Sequence, residues 1–152
     1  MAEKKVLNVK RSVGHGGDFC MKKLLLAAFV AISVLTSAQA DIQVVVSIRK
    51  QTAWLLDDDR ILMTSPVSTA KRGMRTPTGD FEVSEKDVSH ISTIYHVSMP
   101  YYMRLSGEPF GMHAGYLPGY PASHGCIRMP KDKAAMFFKR VGIGTSVRIL
   151  PN

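Results

Sequence analysis

Beyond residue 40 the chain is written in short apolar runs. Ile42-Gln43-Val44-Val45-Val46-Ser47-Ile48 is apolar and β-branched, a composition that fits a pleated, half-buried surface. Residues 53–56 predict a second strand, Asp57-Asp58-Asp59 a turn, and Ile61-Leu62-Met63 the returning strand. Phe81-Glu82-Val83 and residues 94–97 read as further short strands. Residues 101–105 and 110–113 read as a pair joined by Ser106-Gly107-Glu108-Pro109. The period changes once. Ala134, Phe137, Phe138 and Val141 recur at helical spacing within residues 131–141, and Gly142 is placed to end that helix. Residues 145–150 form a last strand. Short strands at close spacing with one main helix predict a mainly β domain, a small sandwich or barrel-like fold.

Residues 21–40 follow a different pattern. Met21-Lys22-Lys23 is basic, residues 24–35 are apolar except for Ser33, and Ala38-Gln39-Ala40 is a small-residue cleavage pattern. The apolar run is shorter than the roughly 20 residues a membrane span needs. These features predict a signal peptide over 21–40 and export to the periplasm or cell envelope. The mature domain is then 41–152, with no stable membrane anchor after cleavage. Residues 1–20 precede an otherwise complete signal and read as a spurious or extended N-terminus, with Met21 the other candidate start. On that reading His15 and Cys20 carry no function.

Net charge is +8 over the whole chain. Within 41–152, fourteen Lys/Arg face ten Asp/Glu, leaving +4. So mild an excess suits a polyanionic envelope surface, but ordinary solubility charge explains it better than any specific partner does. No basic stripe with interleaved aromatics is present, so nucleic acid is not an expected partner.

Past residue 40, Cys126 is the only cysteine. A lone cysteine in an exported chain is a buried free thiol, an intermolecular bridge or a reactive group. Its neighbourhood favours the last. Ser123-His124-Gly125-Cys126-Ile127-Arg128 surrounds it, and His113 lies thirteen positions upstream. Only the thiolate attacks, and an imidazole can take the thiol proton. His113 is the candidate base. His124 either shapes an oxyanion site or holds substrate, or makes a structural hydrogen bond in the loop. Gly125 permits close backbone approach, and the N–H groups of Gly125 and Cys126 are candidate oxyanion donors. Ser123 either bonds locally in the turn or helps place His113. Arg128 can hold a substrate carboxylate bidentately or form an ordinary ion pair. Tyr116 and Tyr120 either wall a substrate cleft or pack in a Pro/Gly turn. Thr76-Pro77-Thr78-Gly79 reads as a structural turn, and His90 and His96 as surface or packing residues.

Phe110-Gly111-Met112-His113, a short loop, then Ser123-His124-Gly125-Cys126-Ile127-Arg128 resembles the L,D-transpeptidase catalytic domain (YkuD-like). Pro66-Val67-Ser68-Thr69 with Thr76-Pro77-Thr78-Gly79-Asp80-Phe81 looks like a second stretch of that family, and residues 42–56 like its opening hairpin. The resemblance implies action on peptidoglycan stem peptides through a Cys126 thioester, without a cofactor or metal. It also implies that the backbone carbonyl of Ala114 orients His113. The acyl acceptor is open between a second stem peptide, an envelope lipoprotein lysine and water, the last giving an L,D-carboxypeptidase. Arg128 stands where one common form of the motif has Asn.

Four rival readings were weighed. A metal site could use His113, His124 and Cys126, but His124 and Cys126 are awkwardly close for joint ligation. A non-enzymatic wall-binding module has no need of a sole cysteine beside two histidines. A sortase-like enzyme needs a longer His-to-Cys separation. A papain-like endopeptidase places Cys before His. The leader is checked by the mass of the envelope-fraction protein, which should begin at Asp41; a chain retaining residues 1–40 would contradict export.

Overall fold

The computed structural model describes residues 41–151; the expected leader and the segment before it lie outside the described residues. Eight strands and one helix follow in order: β1 (Ile42–Ser47), β2 (Thr52–Asp57), β3 (Arg60–Pro66), β4 (Gly79–Ile91), β5 (Ser98–Leu105), β6 (Gly111–Ala114), β7 (Ile127–Met129), α1 (Lys131–Arg140) and β8 (Ser146–Leu150). The strand order is β3-β2-β1-β8-β4-β5-β6-β7. The mainly β fold with one helix among the described residues is the one the apolar pattern predicts.

The first half of the sheet follows directly from period-two alternation. Val44 lies opposite Leu55 and Val46 opposite Ala53 on antiparallel β2. The same two valines face Val147 and Ile149 on parallel β8. All six are buried and form one apolar face. β4 joins the two halves. Gly79–Glu82 pairs with β8, and Val83 to Ile91 pairs with β5 across an irregularity at Val83/Glu85. Beyond β3, Ser68 exchanges two backbone hydrogen bonds with Arg128, of 2.9 and 3.0 Å. That bridge brings the two ends of the strand order together, which gives the sheet its barrel-like closure.

Two expectations need correction. Residues 94–97 are not a strand but the tip of the β4–β5 hairpin. Ser92 turns the chain there: its hydroxyl accepts from Tyr95 N–H (3.1 Å) and its carbonyl from His96 N–H (2.9 Å). β-Branched composition alone does not overcome that local turn. β4 also runs far beyond Phe81-Glu82-Val83. Its outer half is rich in charge and exposed, so it carries little apolar signal. The ladder to β5 and the Arg104–Glu85 pair (2.7 Å) hold it.

Helix α1 buries Ala134 and Phe137 and packs against β5 and β6. Its end is not made by a left-handed Gly142. Val141 turns extended, and its N–H still bonds Phe137 O. The orphan carbonyls of Phe138 and Val141 instead accept from Lys86 Nζ of β4, at 2.7 and 2.5 Å. The ammonium also lies over the Phe138 ring. A cation at a helix C-terminus interacts favourably with the helix dipole. Lys86→Met should therefore lower unfolding free energy by about 1–2 kcal/mol, read from urea unfolding, with strand content unchanged.

Candidate active site

The site is made by the pairing of two very short strands. β6 and β7 run parallel with Met112 opposite Ile127, His113 opposite Arg128 and Ala114 opposite Met129. Alternation sends Met112, Ala114, Ile127 and Met129 into the core, where all four are buried. The other parity carries Gly111, His113 and Arg128 to the opposite face. One step back along the register sets Cys126 beside Gly111. Thiol, imidazole and guanidinium thus share one face of one strand pair, and all three line a cavity of about 500 Å³.

The loop that delivers Cys126 is held by side chains from afar. Thr76 Oγ1 donates to Gly125 O (2.9 Å) and accepts from Ala70 N–H (2.9 Å). Thr69 O accepts the N–H groups of Ala122 and Ser123, both at 2.9 Å. Gln51 fixes Thr69 in turn: its Nε2 lies 2.6 Å from Thr69 Oγ1 and its Oε1 accepts Thr69 N–H at 3.0 Å. Gly125 has φ +148°, and a Cβ there would meet the Phe110 ring at 2.3 Å, so only glycine fits.

His113 is almost fully buried. Its Nδ1 lies 2.8 Å from Ala114 O. A carbonyl only accepts, so Nδ1 carries the proton and Nε2 the lone pair. Burial pushes the His113 pKa below its ordinary value, against the Ala114 bond; Arg128 adds to the lowering. Burial pushes the Cys126 thiol up, opposed by a Gly111 backbone N–H and the charges of Arg128 and Arg104. The resting pair is a neutral thiol and a neutral imidazole. Tyr102, buried behind them, has its hydroxyl pushed up to about 12 by burial and by Cys126. Its ring stacks on His90 at 4.2 Å.

The remaining sequence candidates separate. Ser123 Oγ accepts Gly125 N–H at 3.1 Å, the local turn bond. That bond removes the Gly125 N–H from the expected oxyanion pair and leaves the Cys126 N–H. His124 lines the cavity, stacks against Tyr95 at 4.8 Å and approaches Lys71 Nζ at 3.1 Å; no bond within its own loop holds it. Tyr116 lines the cavity although largely exposed. Tyr120 does not line it. The residue is 62% exposed and its carbonyl accepts from Ser68 Oγ (2.8 Å), so it belongs to the Pro/Gly turn. β7 and Pro130 stand between Cys126 and the first turn of α1. Sequence reasoning missed Tyr95, Phe110 and Ser92 in the cavity wall and Thr76 under the Cys126 loop. Thr76 and Phe110 alone had a signal, their places in Thr76-Pro77-Thr78-Gly79 and Phe110-Gly111-Met112-His113. Among the described residues no three His, Cys, Asp or Glu side chains converge as metal ligands.

A small, mostly β domain with a thiol and an imidazole on adjacent parallel strands defines the class. The profile of the L,D-transpeptidase catalytic domain (YkuD) matches residues 41–149, and the chain belongs to that family. It is 29% identical to YkuD of Bacillus licheniformis over 112 residues, covering 72% of this chain and 66% of that one. An L,D-transpeptidase structure from Mycobacterium smegmatis superposes with TM-score 0.68 at 23% identity, covering 74% of this chain and 59% of that one. L,D-transpeptidase 3 from Mycobacterium tuberculosis, solved with a faropenem-derived adduct, gives TM-score 0.65 at 23% identity, covering 72% and 60%. The chain thus spans 59–66% of the length of each, less than two thirds.

The pH dependence of the thiol tests the neutral pair. Iodoacetamide alkylation of Cys126 should hold a His113-assisted, nearly level rate around neutral pH and then rise through a midpoint above the ordinary thiol value of about 8.5. Because His113 stays unprotonated below its ordinary value, its assistance should persist down to about pH 6.5 and fade only below it. His113→Ala should slow alkylation at pH 7 by about 10²-fold. Thiolate ultraviolet absorbance persisting at neutral pH would instead mean a resting thiolate–imidazolium pair.

Proposed function

We propose that this protein is an exported cysteine L,D-transpeptidase acting on peptidoglycan stem peptides. The observation that carries the reading is the shared face of β6 and β7, which presents Cys126 and His113 together at a cleft wide enough for a peptide. His113 Nε2 takes the Sγ proton while Nδ1–H stays bonded to Ala114 O. The thiolate attacks the carbonyl before the terminal D-alanine of a tetrapeptide stem. The Cys126 N–H faces the developing oxyanion; such a donor is typically worth about 3 kcal/mol of barrier. His113 returns the proton to the departing amine, and the tripeptide remains as a thioester. An amine of a second stem then attacks that thioester and frees the thiol, giving a cross-link.

Family membership and fold support this reading, and the expected leader supports the export. Arg128 is the charged side chain of the cleft and makes none of the ion pairs found among the described residues. It is free to hold a stem carboxylate. Faropenem is a β-lactam, and the adduct in the related structure supports a strained lactam carbonyl as an alternative acyl donor.

Intact-protein mass spectrometry tests the proposal. The wild type should gain a tripeptide from a tetrapeptide stem, release D-alanine and form an adduct with a penem or carbapenem. A pentapeptide should be a poor donor, since its scissile bond joins two D-residues. Cys126→Ser should form none of these adducts. Acylation by pentapeptide but not tetrapeptide would refute the L,D assignment. Adding an amine-bearing stem, a lysine-bearing lipoprotein peptide or water alone identifies the acceptor.

A further inference from the structure

The cleft has no acidic residue in its lining, and a second source of positive charge stands at its rim. Residues 71–75 read Lys71-Arg72-Gly73-Met74-Arg75 and are exposed throughout. None of the three cations belongs to an ion pair among the described residues. The segment is nevertheless fixed. Lys71 N–H donates to Ser123 O (2.9 Å), and Met74 N–H closes a turn onto Lys71 O (2.9 Å). The backbone of Lys71 is thereby tied to the residue three before the thiol.

Its ammonium is aimed as well. Lys71 Nζ lies 3.1 Å from His124 Nε2, and His124 lines the cleft. An ammonium has three donors and no acceptor, so this contact uses a ring lone pair. Tyr95 covers the same ring at 4.8 Å. A full charge is thus held at the mouth of the cleft against a neutral partner, where a carboxylate would be the stronger acceptor.

We propose that Lys71, backed by Arg72 and Arg75, binds the C-terminal carboxylate of the acyl donor. The inference rests on reading the cleft as an acyl-transfer site for stem peptides. A donor cut at its last peptide bond carries its carboxylate within one residue, about 3.5 Å, of that bond. A donor longer by one residue moves the carboxylate out by the same distance. A cation fixed beside the thiol loop therefore measures the length of the donor. Arg128, inside the cleft, remains for a carboxylate elsewhere on the peptide.

The test uses the rate of Cys126 addition to N-ethylmaleimide and to 3-maleimidopropionate. In both reagents Sγ adds across the C=C bond and the neighbouring carbon takes a proton from water, so they differ only in the carboxylate. The charged-to-neutral rate ratio should fall about tenfold in Lys71→Met, recover in Lys71→Arg, and fall in the wild type as salt is raised. A ratio that Lys71→Met does not move overturns the proposal. Equal slowing with both reagents also overturns it, because Lys71 would then only support His124. Neither readout needs stem-peptide turnover, so this inference and the proposed activity fail separately. With a tetrapeptide and its C-terminal amide as donors, the wild type should show a lower KM for the acid, and Lys71→Met should close that gap. Equal KM values in the wild type would overturn it.

Discussion

The parallel register of β6 on β7 is the constraint on which the site depends. Only three residue pairs define it. A slip of one residue would turn every side chain of one strand to the other face, sending Cys126 and Arg128 into the core and Ile127 and Met129 into the cleft. The four core residues of the two strands are therefore what fixes the chemistry. Burying Met112, Ala114, Ile127 and Met129 in the core they share with Ala134 and Phe137 of α1 and Met103 and Leu105 of β5 is the same event as presenting His113 beside Cys126.

So short a pair needs outside support, and polar side chains provide it. Ser68, Thr69, Thr76 and Ser123 are all buried, and among the described residues no buried side-chain N or O lacks a partner. A satisfied network of this kind holds one geometry, because each broken bond strands a buried polar group at a cost of about 1–3 kcal/mol. Two glycines complete the fit. A Cβ on Gly125 would strike Phe110, and one on Gly111 would strike Met103 O and the Tyr102 ring at 2.4 and 2.7 Å. The thiol loop thus rests between aromatic rings on one side and the strap of residues 68–76 on the other.

That division explains what could be read from sequence. β1, β2, β8 and α1 were legible because each has one buried apolar face, and β3 because the Asp57-Asp58-Asp59 turn is followed by the apolar run Ile61-Leu62-Met63. The outer half of β4 was not, because cross-strand pairs to β5 hold it rather than a buried face of its own. β7 is too short to show a period. Cys126 and His113 were legible because the residues that bring them together lie within one short segment. Lys71 and Tyr95 were not, since they approach His124 from a loop some fifty positions away and from a hairpin tip that reads as a strand. The fate of Gly125 N–H was half legible: a local Ser123 bond was one of two readings, but the sequence does not say that the hydroxyl accepts from Gly125 N–H.

The buried setting also bears on how a neutral pair can be reactive. Desolvation opposes both the thiolate and the imidazolium, so charge separation at rest is unfavourable. The same low-dielectric surroundings strengthen any charge–dipole contact made during reaction. Gly111 N–H, Arg104 and Arg128 already favour negative charge on Sγ. In the proposed acyl transfer the charge of the attacking thiolate would pass to the carbonyl oxygen, and the imidazolium left behind would be stabilised by Nδ1–H bonded to Ala114 O. The cationic surroundings of the cleft therefore oppose a charged His113 at rest and favour the negative charge that forms opposite it. A site built this way would keep its thiol protonated until the proposed acyl donor arrives.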